Sequence, residues 1–335
     1  MKSILVTGAA GFIGAFLCKR LLEAGNCAVV GFDNLNDYYS VKLKEERLAL
    51  LCEVGGESFS FVKGDLIDEA ALAAVFEKHH PDIVVNLAAQ AGVRYSIDHP
   101  RAFVDSNVVG FLNVLEACRN YPVEHLVFAS SSSVYGIDEH VPYSTDDKAD
   151  APVSLYAATK RSDELMAHAY AKLFGIPCTG LRFFTVYGPM GRPDMAYYKF
   201  ADKIARGEPI QVYNEGDMWR DFTYIDDIVS GVVAVMEKPP AETPIGAPYR
   251  VYNIGNSRPE SLMNFIDILE RLLVEEGVAD APAIRELLPM QPGDVYQTYA
   301  DVADLERDTG FKPSTPLEDG LREFVLWYKG YTERG

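Results

Sequence analysis

Tyr156 and Lys160 stand four residues apart in Tyr156-Ala-Ala-Thr-Lys160, so one helical turn would put a phenol and an ammonium on the same face. Such a pair suits proton transfer. A phenol titrates near 10 in water and is a poor base at neutral pH unless a nearby cation stabilises its ionised form. Upstream, Ser130-Ser-Ser-Ser133 offers hydroxyls, Ser131 and Ser132 among them, that can share a proton at a reacting oxygen. The spacing by itself is weak evidence. With 19 tyrosines in the chain, about one such pair is expected by chance. Tyr38 and Lys42 form a second pair, read here as that coincidence, and Tyr156/Lys160 would also fit a surface pair beside a serine-rich turn. Position separates the two: Tyr156 opens a helical pattern shortly after an apolar run that ends in the serines.

Ile4-Leu-Val-Thr-Gly-Ala-Ala-Gly-Phe-Ile-Gly14 sets Gly8, Gly11 and Gly14 between an apolar strand pattern and a helix entered through Phe12 and Ile13. Glycines there allow a tight turn and let backbone N–H groups meet a pyrophosphate at the positive end of a helix. The spacing is GxxGxxG, not the commoner GxGxxG, and alone it also fits a plain turn. The second apolar run ends at Asp33, nineteen residues past Gly14, followed by Asn34. A carboxylate at that place binds ribose hydroxyls and repels a 2′-phosphate, favouring NAD over NADP, although a capping or loop acid is the other reading. Asp65 and Leu66 follow the third run, where a carboxylate suits the adenine amino group. Leu87, Ala88 and Ala89 follow the fourth, small enough for close backbone approach. Four strand ends with cofactor-suited chemistry, in order, define a dinucleotide site.

These residues need a scaffold of alternating strands and helices. Strands are expected at 4–7, 28–32, 59–62, 83–86, 126–130 and 178–183, and helices at 12–24, 41–51, 69–76, 107–118 and 155–174. That order predicts an α/β fold, a doubly wound parallel (Rossmann) sheet with ligands at the carboxyl ends of its strands. After about Thr185 the rhythm loosens at Gly188, Pro189, Gly191 and Pro193. The expected division is a cofactor domain over 1–184 and a smaller α/β substrate domain over 185–335, with some later segments packing back onto the first.

The chain has 335 residues and a net charge of −18, which argues against nucleic acid and means that an anionic substrate needs a locally basic pocket. Its five cysteines show no metal-ligand spacing, so no metal is expected, and they read as reduced thiols of a cytoplasmic protein. No apolar run suits a membrane span, and the first strand leaves no room for a signal peptide.

Gly8, Gly11, Gly14, Asp33, Ser131, Tyr156 and Lys160 together resemble the extended short-chain dehydrogenase/reductases, in their NAD-dependent epimerase/dehydratase group. Four stretches resemble the UDP-glucuronate 4-epimerases within it: Asp33-Asn-Leu-Asn-Asp-Tyr-Tyr39, Leu87-Ala-Ala-Gln-Ala-Gly-Val-Arg-Tyr-Ser96, Arg182-Phe-Phe-Thr-Val-Tyr-Gly-Pro189 and Gly191-Arg-Pro-Asp-Met-Ala196. The resemblance implies Tyr156 as base, Lys160 on the nicotinamide ribose and Ser131 as its hydroxyl partner, with NAD held and regenerated. It also implies Asn107 and Phe184 beside the cofactor, Arg220 on the UDP phosphates and Asp294 on the nucleotide ribose. Gln291 departs from the second phosphate arginine common in hexose 4-epimerases. A homodimer through 107–118 and 155–174 is implied too, though the same pattern suits helices packed on the sheet.

Relatives that eliminate water or CO₂ carry a carboxylate in the turn where this chain has Ser131-Ser-Ser-Val-Tyr-Gly136. Hydroxyls alone imply oxidation at C4 of a UDP-sugar followed only by return of the hydride, which is epimerisation. Arg192, near Thr185, and Arg94 are candidates for a hexuronate carboxylate. Either also fits a surface or phosphate arginine. A UDP-glucose/UDP-galactose 4-epimerase is the alternative enzyme, and a non-catalytic NAD sensor is disfavoured by the presence of both Tyr156 and Lys160.

Overall fold

The computed structural model describes residues 1–136, 140–241, 246–290 and 296–333. Strand β1 (Lys2–Thr7) leads through the glycine turn into α1 (Phe12–Ala24), followed by β2 (Cys27–Asp33), α2 (Val41–Gly55), β3 (Phe59–Lys63), α3 (Glu69–His79) and β4 (Ile83–Asn86). Next come the short helices α4 (Tyr95–Asp98) and α5 (Pro100–Phe103), a π-helical turn over Val104–Val109, and α6 (Gly110–Asn120). β5 (His125–Ser131), α7 (Leu155–Phe174) and β6 (Cys178–Phe183) end the regular alternation. The strands and helices expected in this half all form, with one difference. Instead of one regular helix over 107–118, the π-helical turn interrupts the helical path at its start, and Asn107 within it is buried. Its amide bonds Gln90 and Thr159, contacts that reward the irregular turn.

The remaining chain forms β7 (Thr185–Tyr187), α8 (Ala196–Ala205), β8 (Ile210–Tyr213), β9 (Trp219–Tyr224), α9 (Ile225–Met236), β10 (Tyr249–Ile254), β11 (Pro259–Ser261) and α10 (Leu262–Glu275). β12 (Arg285–Leu288), β13 (Gln297–Thr298), α11 (Ala303–Thr309) and α12 (Leu317–Glu333) follow. The large sheet is parallel throughout, in the order β3-β2-β1-β4-β5-β6-β10. The last of these strands comes from the C-terminal half, which also sends α9 against α1. β7, β9, β11 and β13 form a second small sheet, and β8 pairs with β12.

Burial follows the two-residue period of a strand. Leu5 points into one core with Val30, Phe111 and Leu126, while Ile4 and Val6 point into the other with Leu17, Val127 and Leu181. Burying each such side chain stabilises the fold by about 2 kcal/mol. Strand order reverses between β1 and β4, and there the Thr7 hydroxyl donates to Asn86 Oδ1 at 2.6 Å. The crevice above that pair is where an open parallel sheet binds ligands. Among the described residues no helix is long and apolar enough to cross a membrane, and no cluster of His, Cys, Asp or Glu could hold a metal.

Candidate active site

A cavity of about 1000 Å³ runs from the glycine turn, past the switch between β1 and β4, to the small second sheet. Gly8 holds φ at 71°, and a Cβ there would come within 2.7 Å of the Ala88 nitrogen. A Cβ on Gly14 would collide with the Gly8 carbonyl oxygen. Side chains are thus excluded where the turn meets the first turn of α1, leaving space and N–H donors for a pyrophosphate. Gly11, Phe12 and Ile13 line the same space, with Leu66, Leu87, Ala88 and Ala89 opposite.

Asp33 ends β2 at the cavity wall, its carboxylate accepting from the Ala10 N–H at 3.1 Å and the Leu35 N–H at 2.8 Å. Asn34 donates to Asp65 at 2.8 Å, joining the ends of β2 and β3. Lys44, from α2, lines the cavity as well and donates to the Asn36 carbonyl at 2.6 Å and to its side chain at 2.7 Å. Deeper in, Arg47 is fully buried. It donates to the Ala10 carbonyl at 2.8 Å and the Tyr39 hydroxyl at 2.7 Å, and reaches the Met190 carbonyl on the substrate side. These residues fit a dinucleotide with free ribose hydroxyls.

At the middle of the cavity α7 presents Tyr156 and Lys160, and β5 ends in Ser131. Ser154 caps that helix by accepting from the Ala157 N–H at 3.1 Å, which fixes where Tyr156 begins. The Phe103 ring meets the Tyr156 ring edge-on at 6.0 Å. Lys160 donates to the Ala129 carbonyl at 2.9 Å and to Asp163 at 3.1 Å. Below, Glu164 accepts from Ser130 at 2.6 Å and from Arg182 at 2.8 Å through each oxygen, so one buried carboxylate fastens α7 to β5 and β6. Burial opposes ionisation of Glu164, but the Arg182 hydrogen bonds and charge hold its carboxyl below the usual range.

Thr185, Phe184, Arg192, Arg94, Ser132 and Arg220 line the far end. The Arg94 guanidinium lies 5.5 Å from the Tyr213 ring centre, and Arg220 donates to the Trp219 carbonyl at 2.9 Å and the Tyr296 carbonyl at 3.0 Å. Arg192 is paired with Asp194, which also accepts from the Tyr38 hydroxyl. Seven lysines and arginines line the cavity against four aspartates, so a basic pocket exists inside the acidic body.

Two placements differ from expectation. Asn107 lies behind the wall, absent from the cavity lining, because its amide is spent on Gln90 and Thr159. Tyr38 belongs to the cavity and is no bystander. Asp294 and Gln291 lie outside the described residues. Sequence reasoning missed Lys44, Tyr213, Lys199 and Lys203. The four-residue spacing of the last two on α8, just after Arg192, was a usable signal for a basic helix face.

A Gly-rich turn at a helix start, an acid ending β2 and a Tyr/Lys helix over the switch point define a dinucleotide-dependent enzyme of the short-chain dehydrogenase type. The NAD dependent epimerase/dehydratase family matches residues 4–255, and the chain belongs to that family. A probable UDP-glucuronate 4-epimerase of Rhizobium meliloti is 48% identical over 336 residues, covering 97% of this chain and 96% of the relative. UDP-glucuronate 4-epimerase 2 of Arabidopsis thaliana is 45% identical over 99% of this chain and 77% of its own length. The crystal structure of the Bacillus cereus UDP-glucuronic acid 4-epimerase in complex with UDP-glucuronic acid and NAD superposes with a TM-score of 0.87. That match is 34% identical and covers 98% of this chain and 99% of the other.

Proposed function

We propose that this chain is an NAD-dependent UDP-glucuronate 4-epimerase, interconverting UDP-glucuronate and UDP-galacturonate through a transient 4-keto sugar. One observation carries the choice of sugar. Tyr156 and Arg192 line the same cavity. A base for the C4 hydroxyl and a cation for the C6 carboxylate therefore face the same cavity, as a hexuronate requires. When bound, NAD supplies the hydride acceptor and donor. Tyr156 takes the C4 hydroxyl proton as C4 is oxidised and returns it after the keto sugar has turned over. Lys160 stabilises the ionised phenol and would hold the nicotinamide ribose, while Ser131, with Ser132 beside it, would hold the C4 oxygen. Ser131, Ser132 and Ser133 bring no carboxylate to C5 or C6, which leaves return of the hydride as the way forward.

Asp33 and Asn34 serve the adenosine ribose, Asp65 the adenine, and Arg220 and Arg94 the UDP phosphates. Residues 1–184 act as the cofactor domain, joined by α9 and β10, and the rest mainly as the nucleotide-sugar domain. A homodimer through α6 and α7 accounts for their exposed Leu112, Leu165 and Leu173. A cytoplasmic setting suits five free cysteines, four of them buried. Mixing the pure protein with UDP-glucuronate and, separately, UDP-glucose, then resolving products, tests the assignment. Faster conversion of UDP-glucose would overturn it.

A further inference from the structure

An ammonium has three N–H donors. Lys160 spends one on the Ala129 carbonyl at 2.9 Å and one on Asp163 Oδ2 at 3.1 Å, leaving one for the cavity. Both side chains of the pair are almost wholly buried, 3% and 2% exposed. The other carboxylate oxygen, Asp163 Oδ1, is buried without a hydrogen-bond partner among the described residues. Burying a half-satisfied carboxylate costs free energy, and packing α7 does not require it. An amide would hold the lysine in place at lower cost. The carboxylate differs from an amide in its charge, and that charge sits against the cation that acts on Tyr156.

We propose that Asp163 is a positioning residue for the reaction, fixing the Lys160 ammonium and offsetting its charge beside the phenol that must ionise. The proposal rests on the reading of Tyr156 and Lys160 given above. Lys160 alone presents a full positive charge to the phenol. With an ionised Asp163 against it, the pair is nearly neutral at a distance and favours the phenolate less. Removing the carboxylate charge leaves the Lys160 charge unopposed and favours the phenolate more.

Burial pushes the Asp163 carboxyl up to about 7 against the pull of Lys160, and the Glu164 charge pushes it further. The neighbouring elements bring Arg182 on β6, Tyr249 on β10 and Glu116 on α6. Arg182 acts on Glu164, the Glu164 charge acts on Tyr249, and Glu116 bonds Tyr170; none of the three is among the groups acting on Asp163. As pH falls through neutrality Asp163 gains its proton, and the Lys160 charge is then unopposed where the phenol needs it most.

Asp163→Asn tests this in the NAD-loaded protein, because the amide oxygen still accepts from Lys160 and only the charge is lost. The titration of Tyr156 is read as tyrosinate absorbance, each protein minus its own Tyr156→Phe variant. The midpoint is expected to fall by up to about one unit. The acid limb of kcat with UDP-glucuronate should move the same way. Curves of equal midpoint would overturn the proposal and leave Asp163 a packing residue. Should Asp163→Asn fail to fold, Asp163→Ser carries the same expectation. If the unaltered protein does not interconvert the two sugars, the functional reading falls, while the absorbance titration still decides the role of Asp163.

Discussion

Arg192 and Asp194 are joined by two parallel hydrogen bonds, Nε to Oδ1 at 3.0 Å and Nη2 to Oδ2 at 2.6 Å. Burial works against ionisation of Asp194, but the hydrogen bond and charge of Arg192 hold its carboxyl below the usual carboxylate range. The pair is therefore ionised at neutral pH. Its geometry corrects a simple picture in which Arg192 grips the sugar carboxylate with its forked edge. That edge is taken by Asp194, so a sugar carboxylate that reached Arg192 would meet the remaining Nη1 edge or replace Asp194.

A 4-keto hexuronate is a β-keto acid, which loses CO₂ when its carboxylate aligns with the carbonyl π-system. Holding that carboxylate out of line is the work assigned to Arg192, with Thr185 nearby. Arg192→Ala should lower kcat/KM for UDP-glucuronate by about 10²-fold, the worth of a charged hydrogen bond, and release some 4-keto pentose. UDP-glucose turnover should barely change. Equal loss on both sugars would make Arg192 a structural or phosphate arginine.

Tyr156→Phe should lose ~10²–10⁴-fold in kcat while still binding nucleotide sugar, because the ring remains. Ser131→Ala should cost less, since Ser132 lies beside it. Near-normal turnover of Tyr156→Phe in a product assay would remove the proposed base. Tyr38→Phe is not a neutral control, since its hydroxyl donates to Asp194 at 3.1 Å and steadies the Arg192 pair.

For cofactor choice, Asp33→Ala combined with Asn34→Arg should shift preference from NAD toward NADP. Asp33 also accepts from the Ala10 and Leu35 N–H groups, so the change should weaken NAD binding and slacken the glycine turn as well. Titrating both dinucleotides against both proteins checks it. Tighter NADP binding by the unaltered protein would refute the reading of Asp33.

Stability should carry the mark of Asp163. Its folded value, about 7, lies above the unfolded 3.8, so the folded state holds the proton more tightly between those pH values. Stability then falls as pH rises through that window and levels off above it, a total effect of a few kcal/mol. Asp163→Asn should lack this fall. Denaturant unfolding of both proteins at several pH values should show the variant gaining on the parent from acid to neutral, and a constant difference would refute the assignment.

Local signals carried much of this into the sequence. The glycine turn, the acid ending β2 and the Tyr/Lys helix each reveal themselves within a few residues, because strand period, turn chemistry and helix spacing are local. The place of Asn107 behind the cavity wall is not legible locally, because the π-helical turn responds to Gln90, seventeen residues away, and to Thr159 on another helix. The role of Tyr38 at the cavity is equally hidden, because only the folded chain brings it to Asp194, 156 residues on. β10 joins the first sheet beside β6 through pairing that no local pattern announces.

Arg47 makes the two halves of the cavity one mechanical unit. Its guanidinium bridges the Ala10 carbonyl in the cofactor turn and the Met190 carbonyl in the loop that carries Arg192. A dinucleotide that stiffens the first loop thereby stiffens the second, and a sugar that orders the second returns the favour to the first. Any strengthening that one ligand passes to the other through this bridge is returned by the same factor. Release of the sugar then loosens the hold on the dinucleotide by that same factor, so an enzyme that keeps its cofactor through many turnovers must hold it mainly by contacts in the first half of the cavity.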